Sequence, residues 1–414
     1  VALVLVAAAA ARAEEPLRVT LDDALALLRR QSPELLSSAL QVRAAQGDVV
    51  TARLLPNPVL SAGVGNFAIG QTNPPGIGAG DTVVSSVGVA QEVPLWGKRG
   101  ARITSASEKA AATEAQRQDL DRQLAFEVRS RFSALLEASE RLRLARENLD
   151  RYRETVRVTG ARVREGDVSP AEGDKVALEQ RTFEHEVDDA ELDRREAVGA
   201  LLPLLGVTAY DVEPIGELVP VTAPEDVDAL IADALDRRPD LQAAVRAQAS
   251  ADAALRLARA QAWPNVTVGL QYTHSQFTVS GDLPNQFGTS LSVPLPVFDR
   301  NQGDIVRAES EAAIARHDAD HLRLVIPQEV RAAVERYRIS QARVRRYADG
   351  FLRQARGARQ AAEASYREGA VSLLEFLEAE RTFIATERDH LDALHDENAA
   401  AAEITKAAAL EVPR

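Results

Sequence analysis

Two spacings of apolar residues alternate along this chain. Over most of its length they recur every three or four residues, as on one face of a helix, and in two places the spacing drops to two. The later place is the cleaner. Val266, Val268, Leu270 and Tyr272 alternate there with Thr267, Gly269, Gln271 and Thr273, and then Phe287, Thr289, Leu291, Val293 and Leu295 alternate with Gly288, Ser290 and Ser292. The earlier place sets Leu60, Ala62 and Val64 against Ser61, Gly63 and Gly65, then Val83, Val87 and Val89 against Ser86, Gly88 and Ala90. Period two predicts four strands, at approximately 57–67, 83–93, 265–275 and 286–296. Each is about nine residues long, the length a tilted strand needs to cross a bilayer. A half-buried soluble sheet has the same alternation. The small polar face of Gly, Ser and Thr suits a water-filled lumen, and the Gly-, Pro- and Asn-rich segments within each strand pair read as turns.

Prolines mark where the helical spacing stops. Pro56-Asn57-Pro58 and Trp263-Pro264-Asn265 end helices, because proline lacks the donor and excludes the helical conformation from the residue before it. Thr20 with Asp23 and Ser32-Pro33-Glu34 are helix starts, and Pro33 and Pro239 break adjoining helical pieces. From Gly100 to Arg164 only Gly160 interrupts, and from Asp304 to Glu368 only Pro327, Gly350 and Gly357 do. Two helices on the order of 100 Å each are expected. A heptad runs through the first at Val128, Leu135, Leu142, Leu149, Val156 and Val163, and through the second at Val330, Tyr337, Val344, Phe351, Ala358 and Ser365. Seven-residue spacing sustained this far means coiled-coil packing.

The chain is written twice. Residues 32–65 and 238–272 read as one sentence with a small insertion. VPLWGKRGARI from Val93 answers LPVFDRNQGDI from Leu295, Glu-Val-Arg at Glu127 answers Glu-Val-Arg at Glu329, and REGDVS at Arg164 answers REGAVS at Arg367. Each half, 14–222 and 223–414, is expected to fold as helix, strand, strand, long helix, turn, helix. The expected class is α+β, a long coiled-coil helical barrel joined to a transmembrane β-barrel. Four strands cannot close on themselves, and an open edge is not tolerated in lipid. Two chains would supply eight strands, a barrel filled by its own side chains, whereas three supply twelve and leave a passage.

Composition narrows the picture. Residues 1–13, VALVLVAAAAARA, read as the apolar core and cleavage site of a secretory signal, too short for a transmembrane helix of roughly 20 residues. The net charge of −13 disfavours nucleic acid, and the absence of cysteine removes disulfides and thiolate metal sites. No nucleophile–base set, HExxH motif or phosphate-binding loop is present, and GKRG at Gly97 lacks the upstream glycine of a P-loop. A passive duct, not an enzyme, and no cofactor are expected.

The duplicated plan, QEVPLWGKRG at Gln91–Gly100 and the tip turns VREGDVS and YREGAVS together resemble the outer-membrane efflux channel family, the TolC-type exit ducts. The likeness covers essentially the whole mature chain. It implies a homotrimer in the bacterial outer membrane, with helices reaching into the periplasm and a partly helical belt near 203–226 and the C-terminus. It also implies a periplasmic adaptor (a membrane fusion protein) and an inner-membrane pump of the RND type. The LPNP and LWGKRGARI wording is similar to the heavy-metal resistance branch (cobalt–zinc–cadmium or copper), which makes metal cations the expected cargo. Drugs or type I secretion substrates are the alternative cargo, and a soluble periplasmic coiled-coil adaptor is the alternative class.

Candidate functional residues cluster at the tips. Arg164, Glu165 and Gly166, and Arg367, Glu368 and Gly369, end the long helices, while Ser169 and Ser372 can cap the return helices. Ordinary hairpin chemistry explains the Gly and Ser, and the resemblance adds adaptor contact. It further implies gate carboxylates six and nine residues after each tip glycine. These positions hold Glu375 and Glu378 in the second half, and Glu172 and Lys175 in the first. The usual family residue is Asp, so the longer Glu changes the ring. Carboxylates repeated around a narrow pore select cations. His317 and His321, spaced i, i+4, are a weak metal candidate, and His390 and His395, five apart, a poorer one.

Overall fold

A computed structural model describes residues 16–71, 75–208, 211–278 and 283–410, so the signal expected at 1–13 lies outside the described residues. Strand β1 (Leu17–Val19) leads into helices α1 (Leu21–Gln31) and α2 (Pro33–Arg53). Thr20 starts α1 through a reciprocal cap. Its Oγ1 accepts from Asp23 N at 3.2 Å, and the Asp23 carboxylate accepts from Thr20 N at 3.1 Å. Strands β2 (Val59–Gly65) and β3 (Val84–Val93) follow, then the 68-residue α3 (Lys98–Glu165), its return helix α4 (Pro170–Leu205) and a short β4 (Val212–Pro214). The second half repeats the plan with α5 (Val227–Arg237), α6 (Pro239–Gln261), β5 (Val266–Ser275), β6 (Asn285–Ser292), α7 (Gln302–Arg346), a wide π-helical turn (Tyr347–Phe351), α8 (Leu352–Arg367) and α9 (Leu373–Ala407).

The chain divides into two compact units that cut across the duplication. One takes the chain up to Ala39, Gln116–Pro239 and Leu322–Arg414, and the other takes Leu40–Ala115 and Asp240–His321. Each half of the sequence therefore supplies residues to both.

The second unit holds the four-stranded sheet, in the order β2-β3-β5-β6 with every neighbour antiparallel. Its helices meet over small residues: Ala45, Ala52, Ala112, Ala115, Ala253, Ala258, Ala308 and Ala312 are all buried. Alanine at a contact brings helix axes to the near end of the usual 8–10 Å range.

The first unit has a larger core. Val128, Leu135, Leu201, Leu205 and Val212 are buried together with Leu25 and Leu28 of α1. Strand β1 pairs in parallel with β4, Leu17 opposite Val212. The expected partly helical belt, near 203–226 and the C-terminus, is helical only to Leu205 in its first part and through α9 to Ala407 at the C-terminus. After α4 stops at Gly206 (φ +67°), the described residues before Val227 contain β4 and no helix. Glycine is required there twice over, because a Cβ would meet Gln31 O at 2.4 Å. The irregular strand-to-helix segment is pinned instead: Tyr337 Oη donates to Val221 O at 2.7 Å and accepts from Ala223 N at 3.1 Å.

The heptads need a second correction. In α3 the seam residues Val128, Leu135, Leu142 and Leu149 are buried, and in α7 so are Val330, Tyr337 and Val344. The second series then fails. Phe351 is 53% exposed, Ala358 is exposed, and the buried residue near the tip is Tyr366, not Ser365. The cause is the wide turn at Tyr347–Phe351, where Gly350 leaves the helical conformation and one residue more than a regular helix needs is taken up. Among the described residues no helix is long and apolar enough to cross a membrane, which bears only on helices.

Candidate functional site

The sheet register sorts the four strands into two faces. Leu60, Val89, Leu270 and Thr289 lie side by side, and so do Ala62, Val87, Tyr272 and Phe287. On the other face Ser61, Gly88, Gln271 and Gly288 form one row, and Gly63, Ser86, Thr273 and Gln286 another. The apolar face is uncovered: Leu60 is 72% exposed, Leu270 56%, Phe287 78% and Leu291 71%. A soluble protein rarely exposes apolar residues over four adjacent strands. The polar face is close-fitting, for a Cβ at Gly269 would lie 2.4 Å from Ser290 Oγ.

At the end of the sheet Trp96 and Trp263 lie with ring centroids 5.4 Å apart. Trp96 Nε1 donates to Pro264 O at 3.1 Å, and Lys98 Nζ donates to Trp263 O at 2.6 Å and Asn265 Oδ1 at 2.7 Å. These bonds fix the corner where β3 becomes α3. Tryptophan pairs an apolar body with a polar N–H, the chemistry of a bilayer's edge.

The tips are built alike. In the first, Gly166 (φ +84°) donates to Val163 O at 3.2 Å and Asp167 N donates to Arg162 O at 2.9 Å. In the second, Gly369 (φ +76°) donates to Tyr366 O at 3.0 Å and Ala370 N donates to Ser365 O at 2.8 Å. Both are the doubly bonded glycine stop that ends a helix, and a left-handed residue makes each possible. Ser169 and Ser372 then start α4 and α9 by accepting from Glu172 N and Glu375 N, each at 3.3 Å. Arg164, Glu165, Arg367 and Glu368 are exposed, and Arg367 pairs with Glu363 at 2.6 Å.

The three candidate gate carboxylates differ in setting. Glu375 closes a cap on its own helix, its Oε2 accepting from Ser372 N at 3.2 Å. Glu378 is exposed one turn further along, and Glu172 is half-buried in the first turn of α4. Sequence spacing gave all three the same role and did not distinguish the one that also caps.

Other polar contacts behind the tips were not read from the sequence. Arg381 binds both oxygens of Glu179 at 2.7 Å, and one heptad on Arg388 binds Glu186 at 2.8 Å, so α9 and α4 are cross-tied twice. Arg359 lies 5.1 Å above the Phe383 ring and 3.5 Å from Glu380, a buried carboxylate whose pKa is pushed up by that burial. Further along, Arg141 holds Glu137 at 2.7 Å and Asp392 at 2.5 Å, and His395 Nδ1 lies 3.0 Å from Ser133 Oγ. The seven-residue repeat of Arg381/Arg388 and Glu179/Glu186 was the available signal for the cross-ties.

The histidines do not form a centre. His317 and His321 are exposed, His395 faces Ser133, and His390 packs beside Tyr347 with ring centroids 5.6 Å apart. Among the described residues no group of three His, Cys, Asp or Glu is arranged to hold a metal ion.

Comparison with known proteins bears on this geometry. The family model described as outer membrane efflux protein matches residues 24–207 and again 230–410, one match per half of the duplication. The chain is 27% identical to the cobalt-zinc-cadmium resistance protein CzcC of Cupriavidus metallidurans, over 91% of this chain and 86% of that protein. It is 26% identical to the pyoverdine export outer membrane protein OpmQ of Pseudomonas aeruginosa, over 74% of this chain and 65% of that protein. Among solved structures, CusC, crystallised in a study of folding and transmembrane channel formation, superposes with a TM-score of 0.78 at 18% identity, covering 94% of this chain and 91% of CusC. The likeness to CusC establishes the fold: long helices joined to strands of a barrel.

Proposed function

The chain belongs to the outer membrane efflux protein family, and from that premise we propose that it is a gated exit duct through which a tripartite pump expels metal cations. One observation carries the duct: a four-stranded sheet with an uncovered apolar face and with β2 and β6 as its edges. Such a sheet is stable in a bilayer only if its edges find strands of other copies. The strand directions allow this. Successive neighbours are antiparallel, so β6 of one copy meets β2 of the next in the same alternation, and three copies close a twelve-stranded barrel with a passage. The helices attached to those edges support the same arrangement. Leu40 and Val50 on α2, which enters β2, and Val306 and Ile314 on α7, which leaves β6, are all exposed.

The tips Arg164–Gly166 with Ser169 and Arg367–Gly369 with Ser372 would meet the periplasmic adaptor, and Glu172, Glu375 and Glu378 would ring the constriction. No site for chemistry on a substrate is needed, and the driving force comes from an inner-membrane pump of the RND type. Metal cargo is supported by the match to CzcC over most of both chains, and by carboxylates at the constriction, which favour cations. A siderophore or other organic cargo is the second reading, supported by the shorter match to OpmQ.

Planar-bilayer recording tests the duct and its gate. Purified protein should conduct, with cation preference and block by divalent ions that Glu172→Gln, Glu375→Gln and Glu378→Gln together abolish. Absence of any conductance sinks the duct, and unchanged block sinks the gate. Restoration of zinc, cobalt or cadmium tolerance to cells lacking their own duct, but retaining a metal pump, tests the cargo. Restoration of siderophore export alone would favour the second reading.

A further inference from the structure

The two halves of the duplication differ by one residue in the long arm. Glu127 and Glu329, which begin the matched Glu-Val-Arg triplets, lie 202 apart, whereas the tip arginines Arg164 and Arg367 lie 203 apart. The extra residue therefore enters the second arm between those landmarks, and that is where the wide turn Tyr347–Phe351 sits. The first arm, α3, passes the equivalent stretch as regular helix.

The extra residue changes which side chains meet. One residue of helix is about 100° of rotation. Before the turn the buried seam is Val330, Tyr337 and Val344, and continued at the same spacing it would be Phe351, Ala358 and Ser365. Beyond the turn the inward positions are Leu352 and Arg359, half-buried, and Tyr366, 5% exposed, each one residue later. The shifted seam makes the contacts of the tip. Tyr366 stacks flat on Phe376 at 5.4 Å with its Oη 3.4 Å from Thr159 Oγ1, and Arg359 sits over Phe383 beside Glu380. The unshifted seam would offer a small or weakly polar side chain at both of those places.

We infer that the wide turn is a register switch: α8 has two seams, and passage of the extra residue from the turn to the tip rotates Arg359 and Tyr366 out and brings Phe351, Ala358 and Ser365 in. The seam observed is the latched one, held by the Tyr366 stack and the Arg359 contacts, and the other is the released one. The exchange seats Phe351 and Ala358, apolar and already in heptad register with α7, and gives up the Tyr366 stack and the Arg359–Glu380 pair, which is why the latched seam is the one observed. This rests on the duct reading for its functional consequence, release of the tip, but the two seams themselves do not depend on it.

The chain has no cysteine, so single cysteines report the seam directly. Ala358→Cys and Ser365→Cys should react with a bulky maleimide in the otherwise native protein in detergent. Arg359→Cys should be protected. Deleting Gly350 removes the extra residue, and the heptad from Val344 then runs through Leu352, Arg359 and Tyr366 in an unbroken helix, so the native pattern should hold while opening events in planar bilayers fall. An inverted pattern in the folded deletion variant overturns the switch. Unchanged opening in that variant overturns its coupling to the tip. Should the deletion fail to fold, Phe351→Asp decides. Phe351 is exposed now, so the charge is harmless in the latched seam, but in the released seam it would be buried unpaired. Opening events should fall at least about tenfold, because that burial costs more than the ~1.4 kcal/mol a tenfold shift represents. Unchanged opening overturns the proposal. If the unaltered protein never conducts, the duct reading fails instead, and the maleimide pattern still reports the register.

Discussion

Arg141 donates to Asp392 at 2.5 Å while the same guanidinium holds Glu137 at 2.7 Å, so one cation from α3 ties two carboxyl groups on two helices. Burial pushes the Glu137 carboxyl up to about 7, the neighbouring Arg141 pulling against it and Asp392 adding to the rise. Between its ordinary value of 4.5 and about 7 the folded chain holds a proton that the unfolded chain has released. The contribution of this group to stability is therefore full below about 4.5 and is lost as the pH rises through about 7. Raising the pH from 5 to 8 should lower the apparent melting temperature of the unaltered protein relative to Glu137→Gln. A shift of a few degrees is expected, since about 1 kcal/mol moves a large domain by roughly 2–4 °C. The opposite trend, or parallel curves, would contradict the assignment. His395, whose pKa burial lowers, acts in the other direction and is present in both proteins.

The two faces of the sheet should respond differently to charge. Lysine at Leu270 or Phe287 places a cation in lipid, at about 2–4 kcal/mol near the bilayer midplane. Lysine at Thr273 or Gln286 faces the lumen and should be accepted. The fraction of heat-modifiable, protease-resistant protein in the outer membrane separates the two pairs. Equal loss in both would contradict the facing.

Caps should matter unequally at the two tips. Ser372→Ala removes the acceptor for Glu375 N but keeps the backbone N–H of residue 372 that donates to the Glu375 carboxylate, whereas Ser169→Ala removes the whole of a one-way cap. Each loss costs about 1 kcal/mol, and the Glu375 bond that remains keeps part of the cap on α9. Amide exchange in the first turn of α4 should accelerate more in Ser169→Ala than that of α9 does in Ser372→Ala.

Tyr337→Phe keeps the ring and deletes both bonds to the strap at Val221 and Ala223. An unsatisfied buried backbone group costs about 1–3 kcal/mol. Limited proteolysis between residues 215 and 226 should begin sooner in the variant, with little change elsewhere.

The elements that could be read from the chain are those with strong local signals. Period-two alternation gave four strands, because burial on one face leaves a trace at every second residue, and the proline breaks at Pro33 and Pro239 act through their immediate neighbours. Strand β4 was not legible: three residues carry too little pattern, and its pairing with Leu17–Val19 is non-local. The heptad through Phe351 misled because seven-residue spacing presumes an uninterrupted helix, and the traces of the wide turn were Gly350 and the shift of the tip spacing from 202 to 203. At the candidate site the cap residues Ser169, Ser372, Gly166 and Gly369 were legible from hairpin chemistry alone. Arg359 and Glu380 were not, since a buried ion pair across two helices depends on the register that the turn alters.

The most direct test is the mass of the complex extracted from the outer membrane in mild detergent. An open four-stranded sheet with an apolar outer face requires partner strands, so native mass spectrometry should find three copies of the chain. A folded, detergent-extracted monomer would contradict the shared barrel and the duct that depends on it.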